Sequence, residues 1–382
     1  DIPVELTNIK IYDDDTQSQP LWTTCTSSST SPCTETPFTG TCTDSSSGNV
    51  KLGVQCQATC LPSELYYYSK GTIAGCSATI REWNCGTGRN TGIFIRSSDC
   101  TISGGNHVAV SNTLEITGSS TDMNNLVTIT AASNKRHFYV NGVTDKLILR
   151  FIKLTGGDVS GYADSGYADA PDAHGGSILI WTSGGTLVLY KSVIANNKAN
   201  NGGGIFAKGD VNNLNATITS INGTNMMKNE ALNHGGGMAV QWVVLTMGES
   251  VVSSNACGDT GKGGGLYIQE SSSILQKSVI KRNTAYQGGG LAIHYSSYLI
   301  PTTVDIRETT FTDNAAQIQG GGIHIYGATR ANVNITRSNI KNNTVITNST
   351  IGINGGGGIY LASKTNVNIR QTSFMENIAK NN

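Results

Sequence analysis

The sequence predicts an all-β chain wound as a single-stranded parallel β-helix. Three observations predict it. One motif recurs seven times at intervals near 30 residues, apolar residues alternate inside each copy, and a glycine run follows at a fixed place. A period in this range is the signature of a stacked repeat architecture.

The stretch FTDNAAQIQGGGIHIYG, residues 311–327, shows the unit. Its first half reads hydrophobe, two residues, Asn, one residue, small residue. Copies stand at Ile194/Asn197/Ala199, Met226/Asn229/Ala231, Val252/Asn255/Cys257, Ile280/Asn283/Ala285, Phe311/Asn314/Ala316, Ile340/Asn343/Val345 and Phe374/Asn377/Ala379. The Asn-to-Asn spacings are 32, 26, 28, 31, 29 and 34.

Upstream of each hydrophobe the register continues, as in Val304/Ile306/Thr309/Phe311 and Val333/Ile335/Ser338/Ile340. A spacing of two marks one face of a strand. The step of five from Ile306 to Phe311 then implies a bend between two short strands. Thr219 and Ser273 are polar exceptions at the first inward position. After the glycines comes a third strand, with inward pairs Ile178/Ile180, Ile205/Ala207, Met238/Val240, Leu266/Ile268, Leu291/Ile293, Ile323/Ile325 and Ile359/Leu361. Each repeat is thus expected to hold about three strands and two or three turns.

Such a unit buries its apolar face only against another copy of itself. Stacking sets equivalent residues about 4.8 Å apart in parallel ladders. Asn at the bend is expected to take a left-handed backbone and to bond its amide to the Asn of the next coil. The glycines are expected to turn a corner with positive φ.

Residues 101–157 alternate as well, in TLEITG, LVTITAAS, HFYVNG and KLILRFIKLTGG, and read as earlier, irregular coils. The expected organisation is a disulfide-rich region at 1–100 and a β-helix at 101–382, irregular over 101–174 and regular over 175–382. Residues 1–11 are an expected extra strand, open to swapping.

Eight of the nine cysteines fall in the first region: Cys25, Cys33, Cys42, Cys56, Cys60, Cys76, Cys85 and Cys100. An even, dense cluster points to disulfides in an oxidising compartment, with connectivity not deducible from sequence. A zinc site around Cys56 and Cys60 lacks a second cysteine pair or a nearby His. The region is expected to cap the open end of the helix or to form a small appended domain. Cys257 occupies the small-residue slot after Asn255 and reads as an inert, buried thiol. Sequons at Asn215, Asn222, Asn334, Asn342 and Asn348 add the expectation of N-linked glycans and a secreted or cell-surface location.

The paired motifs, FTDNAA with GGGI above all, resemble the repeats of chlamydial polymorphic outer membrane proteins and related pectin-lyase-like β-helix adhesins. The resemblance covers residues 175–382 and implies a right-handed β-helix at a cell or particle surface. The cysteine-rich start, the sequons and the lack of a C-terminal barrel pattern depart from that family. Extracellular filament and flagellar-hair proteins of protists resemble the chain more loosely.

Lys plus Arg and Asp plus Glu balance at 26 each, which argues against a nucleic-acid partner. No apolar run is long enough to span a membrane as a helix. The start at Asp1 reads as a mature or partial product, and the stop five residues after Asn377 as a truncation or a docking face.

The richest candidate for chemistry is the loop GGDVSGYADSGYADAPDAHGG at 156–176. Asp158, Asp164, Asp169 and Asp172, with His174 beside them, offer oxygen ligands for Ca²⁺ or a carboxylate pair for hydrolysis. Gly, Asp and Pro also favour turns without any chemistry, and a solvated loop is the preferred reading. His174 and His234 read as surface or corner residues separated by Asn201, and His294 and His324 sit at different strand positions. Outward Phe206, Tyr267 and Tyr360 read as exposed strand aromatics, with a sugar- or partner-binding stripe as the alternative. No catalytic residues, resident metal or cofactor are expected, Ca²⁺ being the exception kept open.

The leading functional expectation is a secreted, glycosylated structural subunit that self-assembles into an extracellular filament or coat. An adhesin that binds glycan or receptor is the alternative, with specificity in the loops 343–356 and 207–219. A polysaccharide lyase or hydrolase comes third. Fold alone does not choose among them.

Overall fold

The structure is a computed structural model. It describes residues 69–73, 76–82, 92–96, 98–102, 107–110, 113–161, 173–181, 185–211, 218–295, 303–327, 332–346, 355–362 and 366–380. Cys25, Cys33, Cys42, Cys56, Cys60 and Cys85, the sequons at Asn215 and Asn348, and Asp164, Asp169 and Asp172 lie outside them.

Every regular element among these residues is a β-strand, and the chain winds as a parallel β-helix. Four sheets, here A to D, run along it with 12, 10, 9 and 7 strands. A regular coil starts after the glycines with a four-residue strand in sheet C, such as Ile323–Tyr326. Sheet A follows with Asn332–Thr336, sheet B with Asn339–Lys341 and sheet D with Thr344–Val345. Seven coils carry all four strands.

The fourth strand corrects the expected three. It lies between the Asn and the glycines and has only two to five residues, as in Ala256–Cys257 and Ala315–Gln319. Its core contribution is one small side chain per coil, Ala199, Ala231, Ala285 or Ala316, all buried.

Coil-to-coil register is kept throughout. Ile178, Ile205, Met238, Leu266, Leu291, Ile323 and Ile359 form one unbroken column in sheet C. These residues and their counterparts in sheets A and B make one continuous core. Burial of about 25 cal/mol per Å² of apolar surface is its main source of stability. In the last coil, Leu361, Phe374, Met375 and Ile378 are each close to half exposed, because nothing among the described residues stacks on them.

Two ladders of buried polar side chains hold the bends. Asn197, Asn229, Asn255, Asn283, Asn314, Asn343 and Asn377 are joined by Nδ2-to-Oδ1 bonds of 2.9–3.0 Å. From Asn229 onward each Oδ1 also accepts the backbone N–H of the Asn one coil earlier, as Asn343 does from Asn314 at 3.1 Å, while Asn197 Oδ1 accepts from Gly157 N at 2.9 Å. The left-handed backbone falls one residue before the Asn rather than on it, at Lys228, Ser254, Arg282, Asp313 and Asn342, for example. That shift leaves the Asn side chain inside, where it bonds, and sends the strained residue outward.

The second ladder stands at the bend between sheets A and B. Ser192, Thr224, Ser250, Ser278, Thr309 and Ser338 are buried. All but Thr309 accept a backbone N–H from the preceding coil through the hydroxyl, as Ser250 does from Thr224 at 3.2 Å and Ser278 from Ser250 at 3.2 Å. Ser250 and Ser278 then donate to the carbonyl two residues back.

The glycine run has two causes. The first glycine has positive φ, +64° at Gly320, except in the last run, where it is the second, Gly356. The second is forced by packing: a Cβ on Gly321 would come within 2.5 Å of the Gly357 and Thr344 carbonyl oxygens in the next coil.

The irregular coils over 101–157 are present, with Thr113–Gly118, Lys146–Arg150 and Ile152–Thr155 in register with the regular ones. The parallel stack reaches further back, to Gly92–Arg96, which pairs with Thr113–Gly118. Before it, Ser69–Ile73 and Cys76–Glu82 extend sheet A as antiparallel strands.

Candidate functional site

The outer face of sheet C carries the densest chemistry, laid out in three columns. The middle column is the residue between each inward pair: Leu179, Phe206, Ala239, Tyr267, Ala292, His324 and Tyr360. One flank is the last residue of each strand: Trp181, Lys208, Gln241, Gln269, His294 and Tyr326. The other is the residue before each glycine run: His174, Asn201, His234, Lys262, Gln287 and Gln319.

Rings of one flank close over the middle column: His174 stacks on Phe206 at 4.8 Å and His234 on Tyr267 at 4.4 Å. Within the middle column His324 stacks on Tyr360 at 5.5 Å. Phe206 and Tyr267 are therefore buried although they point away from the core. This corrects their reading as exposed aromatics, and that of His174, which is 4% exposed, as a surface residue. Asn201 does separate His174 from His234, bonding His174 Nδ1 through its amide at 3.1 Å. His294 and His324 do occupy different columns.

Burial sets the protonation here. His234, His294 and His324 are held down to about 4, by desolvation first and then by the Lys262 ammonium. The Tyr267 phenol is pushed up by burial and by Glu270. Its hydroxyl lies 2.8 Å from His294 Nδ1 and 3.1 Å from Gln269 Oε1. Glu270 accepts from Trp242 Nε1 at 2.7 Å. Lys208 Nζ sits 4.4 Å from the Trp181 ring centre and 5.5 Å from that of Trp242.

Between Phe206 and Tyr267 the middle column drops to Ala239, which opens a groove of about 350 Å³. Trp181, Lys208, Gln241 and Gln269 line one side, and Asn201 and His234 the other. One of its buried polar atoms, Asn201 Oδ1, has no hydrogen-bond partner among the described residues. The groove provides neutral rings, amides and a cation, a set suited to holding a polar ligand by stacking and hydrogen bonds.

The other expected sites fare differently. Asp158 is half-buried, and its Oδ1 accepts from Ser160 N at 2.9 Å and Ser160 Oγ at 2.7 Å. No group of three or more His, Cys, Asp or Glu side chains forms a metal-ligand set among the described residues. Asn222 and Asn342 are exposed, whereas Asn334 is half-buried and donates to Asp305 Oδ1 at 2.7 Å. Cys257 as a residue is half-buried, but its Sγ lies under the Lys262 and Gly263 carbonyls at 3.5 Å, and burial pushes the thiol up to about 12. No helix among the described residues is long and apolar enough to cross a membrane.

His137 was not singled out by its sequence context. It is fully buried, with Nδ1 3.0 Å from Ser177 Oγ and Nε2 3.0 Å from the Ile129 carbonyl. Its place in HFYVNG, one residue before a strand, is the only signal the sequence carries.

No family model, curated protein or solved structure matches the chain.

Proposed function

We propose that the chain is a secreted, N-glycosylated structural protein whose β-helix forms part of an extracellular filament or surface coat. The likeness of successive coil faces carries the reading. The coil from Ile359 to Ala379 presents the same columns as the six before it, so a coil of the same kind from a second molecule would continue every ladder. Exposed sequons at Asn222 and Asn342 suit glycans on its sides. Pairing of Cys100 in a disulfide suits an oxidising compartment and a stapled N-terminal cap.

Electron microscopy of native material tests the reading. Filaments or sheets with a meridional spacing near 4.8 Å, the coil rise, are the expected result. Isolated rods of one molecule's length, unchanged by concentration, would overturn it. Peptide mass spectrometry before and after glycosidase treatment tests the glycans, with occupancy expected at Asn222 and Asn342.

A second reading is an adhesin that binds a glycan or receptor. The groove on sheet C favours it.

A further inference from the structure

We propose that the corner Gly258–Lys262 is an acid-opened latch: it lies closed on the rod while the imidazoles around Lys262 are neutral, and lifts away locally when they are protonated. The proposal is independent of what the rod assembles with or binds.

The corner is an insertion. After the small residue of sheet D, Tyr286 and Gln287 lead straight to the glycines in one coil, where the coil before it spends five residues, 258–262. Its turn closes through Gly261 N, which donates to the Gly258 carbonyl at 2.8 Å. The sheet D strand leading into it is Ala256–Cys257, and of these two residues only Ala256 pairs with the strand of the next coil. Lys262 closes the corner, donating its N–H to the Asn233 carbonyl at 2.8 Å and accepting from Gly235 N at 3.0 Å.

The Lys262 side chain carries a charge into a ring of imidazoles. Its Nζ lies 5.9 Å from the ring centre of Tyr326, two coils on, and it makes no ion pair among the described residues. His234, His294 and His324 all feel that ammonium. His234 is stacked on Tyr267, His324 on Tyr360, and His294 lies 2.8 Å from the Tyr267 hydroxyl and 5.1 Å from the Tyr326 ring centre. His324 is buried, and its Nε2 has no hydrogen-bond partner among the described residues, so a proton placed there finds no acceptor. The remaining titratable neighbours are His174, beside His234, and Glu270, beside His294 and Tyr267 and already accepting from Trp242 Nε1.

A proton on any of the three histidines therefore sets a second positive charge near Lys262 in a place short of water. Lifting the corner separates the charges and admits water. Desolvation first, and then Lys262, hold all three down to about 4 against 6.5 in an open chain. The closed form is thus favoured in full above pH 6.5 and loses that advantage as pH falls towards 4. At pH 5 the His324 gap alone shifts the balance towards opening by about thirtyfold. His234 and His294 are half-buried, and water screens part of their effect.

Opening has a built-in reporter. Cys257 Sγ lies under the Lys262 and Gly263 carbonyls at 3.5 Å, so lifting the corner bares it. The test is labelling of the full chain at pH 7.5 and pH 5 with 4,4′-dithiodipyridine, which attacks thiols in acid as well as at neutral pH. Each rate is read at Cys257 by peptide mass spectrometry and divided by that of the guanidinium-unfolded chain at the same pH. The ratio should rise more than tenfold at pH 5. Hydrogen exchange, corrected for its intrinsic pH dependence, should quicken at 256–268 and 287–294, while the sheet A strands of the same coils, Val244–Gly248 and Ser272–Gln276, keep their protection. Lys262→Gln and His324→Phe, which keeps a ring on Tyr360, should each shrink the rise. Each variant is compared with itself at the two pH values, so a variant that is less stable at both does not count. A ratio that stays flat overturns the proposal, as does a rise that both variants leave unchanged. Protection lost evenly along the rod also overturns it, because that is global acid unfolding and not a latch.

Discussion

Replacing Asn314 by Ala should destabilise the middle of the stack far more than the same change at Asn377. The Asn314 side chain donates to the Ile280 carbonyl and to Asn343 Oδ1, both at 2.9 Å. It accepts from Asn283 N at 3.1 Å and Asn283 Nδ2 at 2.9 Å. Removing it leaves the buried Asn283 N–H without its acceptor, at about 1–3 kcal/mol, and deletes three further bonds at about 1 kcal/mol each. The sum is roughly 4–6 kcal/mol. Asn377 is half-buried, so water replaces part of what it loses, and about 1–2 kcal/mol is expected there. Urea unfolding measures the difference. Hydrogen exchange locates it, because a solenoid yields locally and coils on both sides of Asn314 should lose protection first. A loss below 1 kcal/mol for Asn314→Ala, or one no larger than for Asn377→Ala, would refute the ladder as a source of stability.

His137 should make the fold acid-sensitive. Burial holds it down to about 4 against an unfolded value near 6.5, so its contribution is full above pH 6.5 and is lost as pH falls towards 4. The gap corresponds to about 3 kcal/mol. Midpoints measured from pH 7.5 to 4.5 should fall, and His137→Asn should flatten the slope; an unchanged slope would remove His137 as the cause. Gly321→Ala should destabilise by several kcal/mol because its Cβ meets two carbonyls of the next coil, while Gly161→Ala, with open space around it, should be neutral in the same melts. Native Cys257 should resist iodoacetamide at pH 8 and react once the chain is unfolded in guanidinium, as read by peptide mass spectrometry. Rapid labelling of the native chain would contradict the burial of its Sγ.

The parts of this fold that were legible in the sequence are those where one residue type recurs for one reason. Inward aliphatics at spacing two locate sheets A, B and C, and a repeated buried Asn predicts its own ladder. Sheet D was missed because its strands are short and contribute a single Ala-sized side chain to the core. The Ser and Thr of the second ladder were visible as a pattern, yet their role was hidden. A hydroxyl at a bend also suits an exposed turn, and only the next coil shows that it accepts a backbone N–H. The left-handed residue was misplaced for a related reason. Asn tolerates that conformation, but here Lys228, Arg282 and Asp313 adopt it, so that Asn229, Asn283 and Asn314 remain inside.

The outer face of sheet C shows a different limit. Alternation assigns Phe206, Tyr267 and His324 correctly to the outside of the sheet, and outside was equated with exposed. That equation fails in a solenoid. Side chains about 4.8 Å apart on successive coils cover one another, and a second column supplies rings at the right height. His174 and His234 come from the position before the glycines, and each closes over an aromatic of a neighbouring coil. The flank at the end of each sheet C strand follows the same logic. It stands three residues after the first inward residue of every coil: Trp181 after Ile178, Gln241 after Met238, Tyr326 after Ile323. Read along the chain, these residues are some thirty apart and unrelated in type. Read down the column, they are an aromatic, a lysine, two amides, a histidine and an aromatic in sequence. In a repeat protein, then, a surface is a column of unlike residues at one register position, and the regularity that hides it in the sequence is what aligns it in the fold.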